Sequence, residues 1–131
     1  MATICLSKYE NTNLDAFMDE FHSSTAAHPF NPHLALFENC VVFEVKPFAG
    51  LILFGFIQTL NKGQGDGSRA LQWLIDLADK HQVTLTGNVQ RVGDEGLTVN
   101  QLRRWYKRYG FNLDRRRHLE MQRPPKQMED G

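Results

Sequence analysis

Leu51-Ile52-Leu53-Phe54-Gly55-Phe56-Ile57-Gln58-Thr59-Leu60-Asn61-Lys62-Gly63-Gln64-Gly65-Asp66-Gly67-Ser68 takes the chain from an apolar run, through a glycine-rich turn, into an amphipathic stretch. The run Leu51 to Ile57 is short, continuously apolar and bounded by Pro47 and Gly50, so it reads as a buried strand. Gly67, Ala70, Leu71, Leu74, Ile75 and Ala78 recur at helical spacing and predict a helix over 66–80. Gly63, Gly65 and Gly67 let the chain turn tightly between the two and bring bare backbone N–H groups against an anion, where the helix dipole adds attraction. A pyrophosphate fits that turn.

Two common phosphate motifs are excluded. A nucleoside-triphosphate P-loop needs Lys directly before Ser68, and here Lys62 precedes the glycines. The dinucleotide fingerprint needs a two-residue gap that the alternating Gly63, Gly65 and Gly67 lack. A second segment, some thirty residues on, adds a different signal. Thr98 followed by Gln101 is a capping box, Leu102, Trp105, Tyr106 and Tyr109 form one apolar face, and Gly110 is placed to end the helix.

Lys62, Gly65 and Gly67 occupy the fixed positions of the acetyl-coenzyme A signature of GNAT N-acetyltransferases, with Lys in place of Gln or Arg at the first. Tyr106-Lys107-Arg108-Tyr109-Gly110-Phe111 is similar to the Tyr-x-x-x-Gly-Phe ending of that family's last helix, and the two motifs occur in the family's order. Val83-Thr84-Leu85-Thr86-Gly87-Asn88-Val89 between them suits its fifth strand. The resemblance spans about 34–121 and is closest to small phage-encoded or bacterial members. It departs where many members carry Asn, since Val99 stands there and Asn100 follows it.

The resemblance implies an α/β (α+β mixed) fold: a central mixed sheet of six or seven strands, splayed between the fourth and fifth, with helices on both faces. It implies transfer of acetyl from acetyl-CoA to a primary amine of a small molecule, protein N-terminus or lysine. Backbone groups of Ile57, Thr59 and Leu60 would hold the pantetheine arm, and the turn Lys62, Gly63, Gln64, Gly65, Asp66, Gly67 and Ser68 the pyrophosphate. Lys62 and Arg69 would neutralise coenzyme charge, with the Asp66 side chain pointing outward or capping the helix through the Ser68 amide. Tyr106 matches the family's general acid, although its place in an apolar stripe also suits a core tyrosine. Glu44, interrupting Val41-Val42-Phe43-Glu44-Val45, is the candidate base or else one residue of a solvated strand face. Family members often dimerise, but no residue here fixes an interface.

Composition agrees with one domain over 1–122 and a flexible tail over 123–131, since 131 residues at 41% hydrophobic content suffice for one core. No long apolar stretch or signal-like N-terminus is present, so a cytoplasmic location without membrane contact is expected. Cys5 and Cys40 show no metal or redox spacing and read as buried thiols. His28 and His33 flank a Pro-rich loop near the acceptor side and, with no Asp or Glu at ligand spacing, read as loop surface, while His22, His81 and His118 read as structural or exposed, so no metal is expected. The basic segment of Arg103, Arg104, Lys107, Arg108, Arg115, Arg116 and Arg117 has three readings, contact with the coenzyme 3′-phosphate and ADP, attraction of an acidic acceptor, or a solvated face, and the last leads because Arg103, Arg104, Lys107 and Arg108 lie off the apolar stripe; zero net charge argues against nucleic acid as partner.

Along the chain, Thr3 to Ser7 reads as a first strand, Asn13 as the cap of a helix striped by Leu14, Phe17, Met18 and Phe21, and Ser23-Ser24-Thr25 as its end. Residues 25–32 read as a loop. Leu34 to Phe37, Val41 to Val45 and Leu51 to Thr59 read as strands with turns at Glu38-Asn39 and Pro47 to Gly50; a helix is expected over Leu97 to Tyr109 and a hairpin over 111–121. A second reading stands beside catalysis: a non-catalytic GNAT-like protein that binds and inhibits a macromolecular partner, with Phe30, Trp73 or Trp105 as interface residues if they are not core.

Overall fold

A computed structural model describes residues 2–31, 34–60, 65–90, 97–117 and 119–126. The three runs with strand character form an antiparallel meander: β2 (Leu34–Phe37), β3 (Val41–Phe48) and β4 (Leu51–Thr59). The turn between β3 and β4 is tight because Ala49 and Gly50 both take positive φ, the geometry that matches strand twist in a two-residue hairpin. Pro47 and Phe48, expected in that turn, lie instead at the end of β3. After β4 the chain enters α2 (Asp66–His81), whose apolar residues Ala70, Leu71, Leu74, Ile75 and Ala78 are buried. It returns as β5 (Leu85–Gly87), shorter than the strand expected over 83–89, and crosses α3 (Val99–Arg108) to the hairpin of β6 (Asn112–Leu113) and β7 (Met121–Arg123).

With a two-residue β1 (Ala26–Ala27) in the stretch expected to be loop, the described residues form a seven-stranded mixed sheet in the order β1-β2-β3-β4-β5-β7-β6. Every neighbouring pair is antiparallel except β4 and β5, whose parallel register comprises Ile52↔Leu85 and Leu53↔Thr86. Phe54 to Thr59 continue β4 beyond that ladder.

The first strand expected at Thr3 to Ser7 is helical: α1 runs from Ala2 to Ser24, so Asn13 lies inside it and caps nothing. A helix satisfies its own backbone hydrogen bonds, whereas a strand there needs a sheet edge to pair with. Ser23 Oγ and Thr25 Oγ1 donate to the Glu20 and Phe21 carbonyls and finish α1 where the sequence places its end.

Register shows where the core lies. Phe37 and Val41, Ala35 and Phe43, Val45 and Phe54, and Ile52 and Leu85 are in-register partners, and all of them join a single buried cluster. Leu14, Phe17 and Phe21 of α1, the buried face of α2, and Tyr106 of α3 belong to that same cluster. The expectation of helices on both faces is therefore corrected: the described helices bury their stripes against one side of the sheet. The other side carries Leu34, Leu36, Glu44 and Leu53, which are half-buried, together with Val42 and Thr86, which are buried.

Arg123 does not open the flexible tail that the sequence reading expects. Arg123 is buried in β7, its Nε donating to the Tyr109 carbonyl while its terminal nitrogens bridge both carboxylate oxygens of Asp79 at 2.8 and 3.2 Å. The Lys126 amide donates to the same carboxylate. Residues 127–131 lie outside the described residues.

Candidate functional site

The site is built around the place where β4 leaves β5. Phe43 pairs with Ile57 and Val45 with Phe54, so β4 carries one extra residue opposite Glu44, a β-bulge at Gly55-Phe56. The Leu60 amide donates to the Cys40 carbonyl at 2.8 Å. Antiparallel alternation then turns the peptide groups of Gln58 towards β3 and those of Ile57 and Thr59 towards the other edge, where no described strand pairs with them. Among the described residues Ile57 and Thr59 thus present an open edge; the Leu60 amide does not join it, being bonded to the Cys40 carbonyl.

The edge leads to the N-terminus of α2. Gly65 there is left-handed, at φ 72°, and makes no side-chain cap, so only the Arg69 amide closes back, onto the Gly65 carbonyl. The amides of Asp66, Gly67 and Ser68 are the uncapped donors of the first turn. Gly67 lies against Thr59: a Cβ on it would sit 3.2 Å from Thr59 Cγ2, which brings helix start and strand end together. Lys62, Gly63 and Gln64 lie outside the described residues.

Two expectations about charge at this turn are corrected. Asp66 neither points outward nor caps the helix; it is buried and pairs with Arg69 Nη1 at 3.1 Å. Arg69, expected to face a phosphate, also donates to Glu38 Oε1 at 2.8 Å. Both follow from the β2–β3 turn, where Glu38 and Asn39 take positive φ and present Glu38 and Cys40 to the first turn of α2. Cys40 is half-buried rather than buried; desolvation and the nearby Asp66 carboxylate raise its pKa and keep it a thiol. Cys5 has no described side chain.

Tyr106 stands against β4. Its ring packs edge-on to Phe54 at 5.7 Å and to Phe111 at 5.5 Å, it is 3% exposed, and burial raises its pKa, so the phenol keeps its proton. Among the described residues its hydroxyl has no hydrogen-bond partner. The helix that carries it is well fixed: Thr98 and Gln101 form the expected capping box, and Gly110 turns the chain at φ 93°. Trp105 Nε1 donates to Ser68 Oγ at 3.3 Å, tying α3 to the first turn of α2.

Glu44 lies across the bulge. A Cβ on Gly55 would overlap its carboxylate, so the side chain crosses directly over the Gly55 backbone, half-buried, on the side of the sheet away from the helices. Among the described residues nothing pairs with it. The structure therefore brings Tyr106 and Glu44 to consecutive residues of β4, Phe54 and Gly55, on opposite sides of the strand. Gly87 completes the junction, because a Cβ there would overlap the Phe54 carbonyl.

Sequence reading missed the Trp105–Ser68 bond, the capture of Arg69 and the Arg123–Asp79 pair, none of which has a periodic signal. The bulge had one: a lone Gly55 inside an apolar strand run. Among the described residues no group of His, Cys, Asp and Glu has the arrangement of a metal site, and no helix is long and apolar enough to cross a membrane. Comparison with protein-family models, curated proteins and solved structures gave no match.

Proposed function

We propose that the chain is a GNAT-type N-acetyltransferase that moves acetyl from acetyl-CoA to a primary amine. The observation that carries this reading is the open edge of β4 at Ile57 and Thr59, continuous with the uncapped amides of α2 and flanked at Phe54 and Gly55 by Tyr106 and Glu44. An extended amide-containing arm pairs with such an edge as an added strand does, and a pyrophosphate suits the helix start. The coenzyme would supply an acetyl thioester at the junction.

The chain's own groups divide the chemistry. Glu44 accepts the proton that the substrate ammonium must lose before its nitrogen can bond to the acetyl carbon. Tyr106, a phenol protonated at neutral pH, gives its proton to the sulfur as the carbon–sulfur bond breaks and regains one from solvent. The two residues stand on opposite sides of β4, so on this reading the acetyl carbon, which bears both the entering nitrogen and the departing sulfur, lies at the strand edge between them.

The reading is tested by calorimetric titration of the whole chain with acetyl-CoA, beside Gly65→Trp with its melting curve as a control. Saturable binding to the wild type, lost in a folded variant, is the expected result; a folded wild type that binds nothing overturns the proposal. A non-catalytic partner-binding protein is the second reading, and one observation favours it: Arg69 is held by Glu38 and Asp66 rather than free for a phosphate.

A further inference from the structure

We infer that the acceptor is a primary amine with an apolar, aromatic body, its ammonium paired with Glu44 and its body lying over Leu34 towards His28 and Phe30. This rests on the acetyl-transfer reading and names the substrate class for the same site.

The placement follows from register. Ala26 pairs with Leu36 and Ala27 with Ala35, and the His28 amide donates to the Leu34 carbonyl, which continues the ladder to His28 and Leu34. Leu34 pairs with Glu44, and the Glu44 carboxylate crosses Gly55. His28, Leu34, Glu44 and Gly55 therefore form one transverse row on the side of the sheet that the described helices leave uncovered. Partners in register point to the same face. Strands are spaced about 4.8 Å apart, so the row spans three spacings, about 14 Å, from Gly55, over which the carboxylate lies, to His28.

The chemistry along the row is graded. At one end stands a half-buried carboxylate, unpaired among the described residues and beside the β4–β5 junction. A half-buried, unpaired carboxylate gains from an incoming cation that hydrogen-bonds to it. Leu34 and Leu36 form a half-buried apolar floor. At the far end the His28 ring is fixed by the Phe30 amide, which donates to Nδ1 at 3.2 Å, and Phe30 packs edge-on to it at 6.2 Å while remaining 91% exposed. In the neutral ring the proton is then on Nε2. The row ends in two aromatic rings rather than a second carboxylate, which favours one ammonium on an aromatic body over a polyamine.

The test is calorimetric titration of the full chain with phenethylamine, spermidine and N-acetyl-lysine methylamide, with acetyl-CoA titrated in parallel. Phenethylamine is expected to bind tightest. Glu44→Gln should weaken it by about tenfold or more, the scale of a charged hydrogen bond. Gly55→Ala, which keeps the charge but displaces the carboxylate, should weaken it too, and Phe30→Ala should cost about threefold. Spermidine or the lysine derivative binding as well as phenethylamine, or Glu44→Gln and Gly55→Ala both binding it unchanged, overturns the inference. Glu44-dependent amine binding without any acetyl-CoA binding leaves the subsite standing and removes the transferase reading; acetyl-CoA binding without the amine preference removes the subsite alone.

Discussion

Asp79→Asn should be among the most damaging conservative substitutions outside the apolar core. Asp79 accepts from Arg123 Nη1 and Nη2 and from the Lys126 amide, and the side chains of Arg123 and Asp79 are only 10% and 18% exposed. Removing one partner of a buried pair costs about 3–5 kcal/mol because the other charge is left without compensation. Here Arg123 keeps its bond to the Tyr109 carbonyl and both groups touch solvent, so the lower end, about 3 kcal/mol, is expected. For a chain of this size that lowers the melting temperature by about 10 °C. Burial alone would raise the Asp79 pKa, but the Arg123 hydrogen bonds, the Lys126 amide and the attraction of both cations outweigh it and hold the carboxyl below its ordinary value. With the folded value depressed, the stabilisation is complete above the unfolded pKa of about 3.9 and is lost as pH falls through the folded one. Melts of wild type and variant should thus stand apart at pH 7 and converge below about pH 4, by about 1.4 kcal/mol per pH unit. Coincident melts at pH 7, or a gap that stays constant from pH 5 to pH 2.5, would refute the reasoning. The clamp also joins α2, β7 and the end of the Tyr106 helix, so, on the proposed acetyl-transfer reading, the variant should lower acetyl-CoA affinity as well.

Three further outcomes follow from the same geometry. Tyr106→Phe keeps the ring contacts and loses only a hydroxyl, so its urea unfolding should shift by less than about 1 kcal/mol, while acetyl transfer in a thiol-release assay should fall about 10²-fold or more; unchanged turnover would make Tyr106 a core residue only. Two glycine substitutions should differ. Gly87→Ala, meeting the Phe54 carbonyl, should cost about 3 kcal/mol, and Gly65→Ala, strained in φ but in open space, about 1 kcal/mol by chemical denaturation. Thr98→Ala removes the capping box and should cost about 1 kcal/mol in the same assay, with restoration by Thr98→Ser.

The electrostatics of the glycine-rich turn would shape any anion affinity. Asp66 and Glu38 hold Arg69 away from the uncapped amides, so an arriving phosphate must rely on backbone donors or draw Arg69 from two carboxylates. Its own charge offsets part of that exchange, and added salt should weaken the exposed Glu38 contact more than the buried Asp66 one.

Local rules were enough to read much of this chain. The apolar run 51–57, the helical spacing after Gly67 and the Thr98–Gln101 box each produce the element they imply, because period and capping are properties of neighbouring residues. Tyr106 and Glu44 stand out in the sequence as polar groups in apolar stretches, but nothing there places them on opposite sides of one strand. Tertiary structure decided the rest. Thr3 to Ser7 has the composition of a strand yet forms part of a helix, since a strand exists only where another edge accepts it. Register, which depends on pairs far apart in sequence, placed the described helices on one side of the sheet, set His28 in line with Glu44, and turned Ile57 and Thr59 rather than Leu60 to the open edge. Ion pairs such as Arg69 with Glu38 and Arg123 with Asp79 depend on three-dimensional proximity alone, and no spacing in the chain announces them.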